Sequence, residues 1–260
     1  MAEPNKLVAT SPVHAGVLQL QLDRPGQRNA LSGELLRQAA SILVAAETDP
    51  AIRCVVVTGD AHAFSAGADI KEMQRNGFHA ISNHARQSAW HAIEHFSKPM
   101  IAAVRGLCLG GGLEFAMLAD IIIAADDAVF GQPEITIGII PGDGATQRLT
   151  RVIGKSLAMK MVLTGEPVAA SELLQRGLIA EMLPAERVLD RAIALAELIA
   201  SRAPIAARLG KEAVLAAYET TLSAGLDVER RAIRLAFRTA DQKEGMAAFV
   251  EKRLANFTGN

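Results

Sequence analysis

Ile101-Ala102-Ala103-Val104-Arg105-Gly106-Leu107-Cys108-Leu109-Gly110-Gly111-Gly112-Leu113-Glu114 sets a short apolar run ahead of a glycine triplet and an acid. The run is brief and bounded by turn residues, so it reads as a fully buried strand rather than a helix. Similar runs stand at 55–57 and 121–125. Upstream, Val17-Leu18-Gln19-Leu20-Gln21-Leu22 alternates with the period of a half-buried strand. Helical patterns lie between these runs. Ser32 is placed to cap a helix over 34–47, with Pro50 beyond its end. Asp69, with Glu72 three residues on, reads as a capping box opening another. The prediction is an α/β body of repeated strand–strand–helix units.

After residue 150 the character changes. Stretches 155–163, 169–176, 188–202, 205–217, 222–237 and 243–253 are rich in Ala and Leu at helical spacing. The division expected is an α/β core over 1–195 and a helical region over 196–260. No linker of disordered composition separates them.

Of the 260 residues, 50% are hydrophobic and 4% aromatic, so the core must be built largely from Ala, Val, Ile and Leu. Lys and Arg number 27 against 28 Asp and Glu, a balance unlike that of a dedicated nucleic-acid binder. Cys54 and Cys108 both fall in apolar runs, which argues for a reducing compartment rather than a disulfide framework. The first ten residues lack a signal-peptide layout, and no apolar run nears the roughly 20 residues that span a bilayer. The expectation is a cytoplasmic protein without membrane or nucleic-acid partners.

Several short patterns point elsewhere and fail. Gly154-Lys155-Ser156 resembles the end of a phosphate-binding loop, but the glycine needed at 149 is Leu149. The glycine triplet would need a glycine at 115 for a dinucleotide fingerprint, and Phe115 stands there. Ser65-Ala66-Gly67 is half a nucleophile elbow, yet every histidine lies at or before His95, too early for the usual nucleophile–acid–histidine order. His91-Ala92-Ile93-Glu94-His95 matches a short zinc pattern within a generally polar stretch that indicates no third ligand. No metal is expected.

What remains is a constellation. Two glycine-bearing loops, 63–71 and 106–114, each sit between a strand and a helix. Their amides could converge on one oxyanion, and losing one donor from such a site costs about 3–4 kcal/mol of barrier. Glu114 falls in the first turn after the triplet, and Glu134 precedes an apolar segment that reaches Ile140. Enclosure by Ile and Gly would raise a carboxyl toward the range useful for general acid–base work.

These same residues resemble the crotonase (enoyl-CoA hydratase/isomerase) superfamily. Phe64-Ser65-Ala66-Gly67-Ala68-Asp69-Ile70-Lys71-Glu72-Met73 is similar to its first signature. Lys98-Pro99-Met100-Ile101-Ala102-Ala103-Val104, the triplet and Glu114 are similar to the second. Gly131-Gln132-Pro133-Glu134, Ile140-Pro141-Gly142 and Thr146-Gln147-Arg148-Leu149 follow in order, and the likeness runs from Leu22 to Arg253.

The resemblance implies a crotonase-like spiral whose helical C-terminal portion serves oligomerisation, as trimer or hexamer, and active-site cover. It implies backbone donors at Ala68 and Gly111 for a thioester oxygen. Glu134 would exchange a proton at the α-carbon and Glu114 would activate water at the β-carbon. Ala66, Asp69, Ile70 and Gly142 would line the substrate, with Arg24, Lys71 and Lys252 on coenzyme A phosphates and Phe249 near its adenine. Coenzyme A arrives on the substrate, so no separate cofactor is implied. Retention of both acids favours hydration of a trans-2-enoyl-CoA over Δ3,Δ2-isomerisation or another lyase reaction; fatty acid β-oxidation is one pathway using it. An RNA-binding homologue would need more basic charge than Lys71, Arg75 and Arg86 give. Asp143 departs from the family pattern and is expected to form a turn facing solvent. The acyl-pocket floor is expected from 73–96, with Trp90 and Phe96 as candidate walls or equally as core.

Overall fold

The computed structural model describes residues 6–260; residues 1–5, half of the segment tested above for a signal peptide, lie outside the described residues. The chain opens with β1 (Val8–Thr10), β2 (Val17–Leu22) and α1 (Gly33–Thr48). β3 (Cys54–Thr58) and β4 (Ala63–Ser65) lead to α2 (Ile70–Asn76), α3 (His79–Ser82) and α4 (His84–Glu94). β5 (Met100–Val104) and β6 (Leu107–Leu109) lead to α5 (Gly111–Ala116). β7 (Ile121–Ala125) and β8 (Val129–Gly131) lead to a 3-10 turn, Pro133–Ile137, then α6 (Ala145–Ile153) and α7 (Lys155–Thr164). β9 (Val168–Ala169), α8 (Ala170–Gln175), β10 (Glu181–Leu183) and α9 (Ala185–Ala200) complete the body. α10 (Pro204–Ala216), α11 (Leu222–Ala236) and α12 (Ala240–Glu251) follow.

The strand–strand–helix unit is present three times. The first strand of each unit joins a sheet of order β1-β2-β3-β5-β7-β10, and the second joins one of order β4-β6-β8-β9. Pairing is parallel except at β1 and β9. Each unit thus advances both sheets by one strand, which is the spiral expected. β3 and β5 are buried at every residue, as an apolar strand covered on both faces requires. β2 buries its leucines while Gln19 and Gln21 stay half-exposed.

Local capping follows the sequence with one difference. Ser32 Oγ accepts from Leu35 N at 3.2 Å, and Asp69 Oδ1 accepts from Glu72 N at 3.0 Å. The Glu72 carboxylate does not return to Asp69, so the capping box is half formed. It accepts instead from Gly33 N at 3.3 and 3.2 Å, joining the starts of α1 and α2. The reason is that Asp69 N is already given to Leu31 O. At the other end of α1, the buried Lys98 Nζ donates to the carbonyls of Ala46, Asp49 and Ile52 at 2.6, 2.7 and 2.8 Å. A cation there satisfies orphan carbonyls and meets the negative end of the helix dipole.

Residue 195 falls inside α9, whose buried Val188, Ala192, Ala196 and Ala200 rest on the larger sheet. The change of packing comes after it, where α10 and α11 bury no residue. Among the described residues, no helix is long and apolar enough to cross a membrane.

Candidate active site

Three loops leave the C-terminal ends of β4, β6 and β8, neighbouring parallel strands of the smaller sheet. That edge is where ligands commonly bind in α/β sheets. The first loop, 66–69, is pinned on both sides: Ala66 N donates to Arg28 O, Leu31 N to Gly67 O, and Asp69 N to Leu31 O. The Ala68 N–H lies between those bonds and outside that ladder. In the second loop, Gly111 is the first residue of α5, where an amide has no intrahelical acceptor. The loops touch: a Cβ built on Gly111 would lie 3.6 Å from the Ala68 nitrogen and 3.9 Å from Oε2 of Glu114. The approach needs glycine at 112, since a Cβ there would meet Ser65 O at 2.4 Å.

The two carboxylates flank this backbone. Glu114 is 2% exposed, and its Oε1 accepts from Asp143 N at 2.8 Å and Ala145 N at 3.0 Å. Burial pushes its carboxyl above the ordinary range; the charge of Asp143 adds to this, while the two amides and Arg86 oppose it. Glu134 comes from the third loop. Gly110 has φ +51°, and a Cβ on it would stand 2.7 Å from Oε1 of Glu134. Gln132, with its amide turned to find acceptors, donates to Oε2 and Oε1 of Glu134 at 3.1 and 3.0 Å. Burial pushes the Glu134 carboxyl up to about 7, its own backbone amide opposes this, and the charges of Glu114 and Asp143 add to it. Ile135, Ile137, Ile139 and Ile140 do not enclose this acid as the sequence led us to expect, being 38–66% exposed. The Gly110 backbone packs on the carboxylate instead.

A family described as enoyl-CoA hydratase/isomerase matches over residues 13–260. The chain belongs to that family. It is 49% identical over 238 residues to "Enoyl-CoA hydratase, mitochondrial" of Pongo abelii, covering 92% of this chain and 82% of that protein. It is 45% identical over 243 residues to the 2,3-dehydroadipyl-CoA hydratase of Escherichia coli K12, covering 94% of this chain and 95% of that one. Its fold is similar to the crystal structure of an enoyl-CoA hydratase from Bacillus anthracis, with TM-score 0.92 and 36% identity. That match covers 98% of this chain and 100% of the other.

Within this hydratase/isomerase fold the remaining expected residues separate. Ala66, Ala68 and Asp69 are half-exposed, and Ile70 is 48% exposed beside them. Gly142 faces open space next to Asp143. Lys71 is exposed in the first turn of α2. Arg24 is engaged: its Nη1 donates to Asp69 Oδ2 at 2.8 Å and Ala30 O at 3.1 Å. Phe249 is 85% exposed on α12 and the exposed Lys252 caps that helix, so neither packs on this chain's own body. Trp90 and Phe96 are core residues; Trp90 packs edge-on against Phe115 at 6.0 Å.

The discarded motifs have plain structural uses. Ser65 Oγ is buried, donating to Asn29 O at 2.7 Å and accepting from Gly67 N at 3.2 Å. Gly154 joins two helices, α6 and α7. The rings of His91 and His95 stack at 3.9 Å, and Glu94 pairs with Arg148. Asp143 corrects our expectation. It turns inward, is 14% exposed, and forms a two-pronged ion pair with Arg86 of α4. Sequence reasoning missed Arg86 and Gln132 as neighbours of the acids. It missed Asn29 too, a buried amide at φ +55° that holds Arg24 N, Asp60 and Ala63 O together.

Proposed function

We propose that this protein is an enoyl-CoA hydratase, adding water in the syn sense to a trans-2-enoyl-CoA to give a 3-hydroxyacyl-CoA. The observation that carries the reading is the Gly110–Gly111 backbone, bracketed by two desolvated carboxylates and facing the Ala68 amide. The amides of Ala68 and Gly111 bind the thioester oxygen, and their bonds strengthen as it becomes enolate-like. Glu114 and Glu134 hold one water between them. Its oxygen goes to the β-carbon and its proton, by way of the carboxylates, to the α-carbon. Glu134 suits the proton exchange because burial pushes its carboxyl up to about 7, into the range where it can both take and give a proton near neutral pH. Glu114, with one oxygen tied to two amides, keeps the other for the water. The reaction neither oxidises nor reduces, so it asks for no cofactor beyond the coenzyme A of the substrate.

Three finer readings belong to the same proposal. Lys71, Arg24 and Lys252 meet the coenzyme A phosphates and Phe249 its adenine, the last two reaching a neighbouring subunit from exposed positions on α12. A trimer or hexamer accords with the large apolar side chains exposed on the C-terminal helices and the tail after them, among them Leu222 at 80% and Leu254 at 94%. A cytoplasmic setting accords with Cys54 and Cys108, both buried free thiols.

The test is a panel of enoyl-CoA and 3-hydroxyacyl-CoA substrates with Glu114→Gln and Glu134→Gln. Each variant should hydrate about a thousand-fold more slowly. Unchanged hydration in both would sink the mechanism. Isomerisation that survives Glu114→Gln but needs Glu134 would make the protein an isomerase.

A further inference from the structure

The 141–144 loop carries a charge pair that the hydration chemistry above does not use. We propose that Arg86 and Asp143 form a positioning pair for hydration, clamping this loop so that its amides hold Glu114 in its working orientation. The inference rests on the reading of Glu114 and Glu134 as the acids of the reaction.

The geometry runs in one chain of contacts. The Arg86 guanidinium grips both oxygens of Asp143, with Nη1 to Oδ1 at 2.9 Å. The two side chains are 19% and 14% exposed, so solvent screens the pair less than a surface bridge. Asp143 N then donates to Glu114 Oε1 at 2.8 Å, with Ala145 N two residues on. Arg148 Nη1 closes the turn on Asp143 O at 3.2 Å, and its other arm pairs with Glu94. Arg86 is itself steadied above the Trp90 ring, 5.7 Å from its centre. A side chain on α4 therefore fixes a loop after β8, and that loop fixes an acid on α5.

The pair also sets charge. Asp143 from the loop acts on both acids, Arg86 from α4 acts on Glu114, and the Glu114 charge acts on Glu134. Arg148 and Glu94 form a neutral pair at the edge of this cluster. Asp143 raises both carboxyls, and Arg86 lowers Glu114. Removing Asp143 should therefore lower both acids and removing Arg86 should raise Glu114, whereas removing both should bring Glu114 back toward its parent value.

The experiment is the pH profile of hydration for Asp143→Asn, Arg86→Gln, the double variant and Arg86→Lys. Asp143→Asn should shift the profile down and Arg86→Gln should shift it up, each by on the order of 1 pH unit. In the double variant the limb set by Glu114 should return toward the parent, and Arg86→Lys should keep the parent profile. Both single variants should lower kcat about ten-fold with KM nearly unchanged, since the thioester-binding amides stay in place. Shifts in the same direction, or none, overturn the inference, as does a loss of thermal stability with an unmoved profile. Should Asp143→Asn fail to fold, the contrast of Arg86→Gln with Arg86→Lys decides alone. Failure here beside a hydration loss in Glu114→Gln removes only the pair; unchanged hydration in both Glu114→Gln and Glu134→Gln removes the proposed function first.

Discussion

Glu134 shows how one side chain ties chemistry to stability. Its carboxyl titrates at about 7 in the folded protein against an ordinary 4.5, so the folded state holds the proton more tightly than the unfolded one. Stability therefore falls as pH rises from about 4.5 toward 7, because folding must then keep a desolvated charge. Glu134→Gln should remove that decline and be more stable than the parent at pH 8 by about 1 kcal/mol, allowing for screening of a half-exposed group. Urea unfolding at pH 5 and pH 8 checks this; an equal pH dependence in both proteins would refute it. At this scale the sequence carried part of the site. Glu114, Glu134 and the glycine loops stand out because their spacing relative to strands is visible in the chain. Arg86 and Gln132 do not, since an arginine in a polar stretch looks like any other until α4 brings it to Asp143. The isoleucines after Glu134 misled for a related reason: hydrophobicity does not reveal which way a 3-10 turn points its side chains.

Among elements, α1 depends on a residue far from it in sequence. Three carbonyls near its end converge on Lys98 Nζ, and one of them, Asp49 O, also accepts from Ile52 N at 3.1 Å. Lys98→Met should strip this donor from all three in a buried place and cost about 3 kcal/mol. A lowered urea midpoint with an unchanged slope would bear this out, and a midpoint like the parent's would refute it. The order of elements was legible where patterns were long: all six C-terminal helices lie where their Ala/Leu periodicity put them. β9 and β10 were not, because two or three residues carry no period. The half-formed capping box is instructive too. Asp69 and Glu72 have the right spacing, but Leu31 O had already taken the backbone amide that would complete it.

Across the whole molecule, the C-terminal helices are held by few tethers. Asp241, 2% exposed, accepts from Thr258 N at 2.7 Å and Gly259 N at 2.8 Å, folding the tail back along α12. Arg53 then binds the tail to the body, donating to Phe257 O at 2.8 Å and Ala200 O at 3.2 Å. Asp241→Ala should speed hydrogen exchange throughout α12 while β3 and β5 stay protected, since their burial does not involve the tail. Equal exchange in α12 would show that the tether is idle. The stepwise growth of the two sheets has a consequence in time. Each unit pairs with strands made just before it, so a chain leaving the ribosome can zip its sheets from the N-terminal side without waiting for its end. Glu114, however, is anchored by amides at 143 and 145, synthesised about thirty residues after it. Ribosome-bound chains of increasing length should accordingly restore the fluorescence of Trp90, the single tryptophan, once α4 docks, and enzymatic turnover only at greater length.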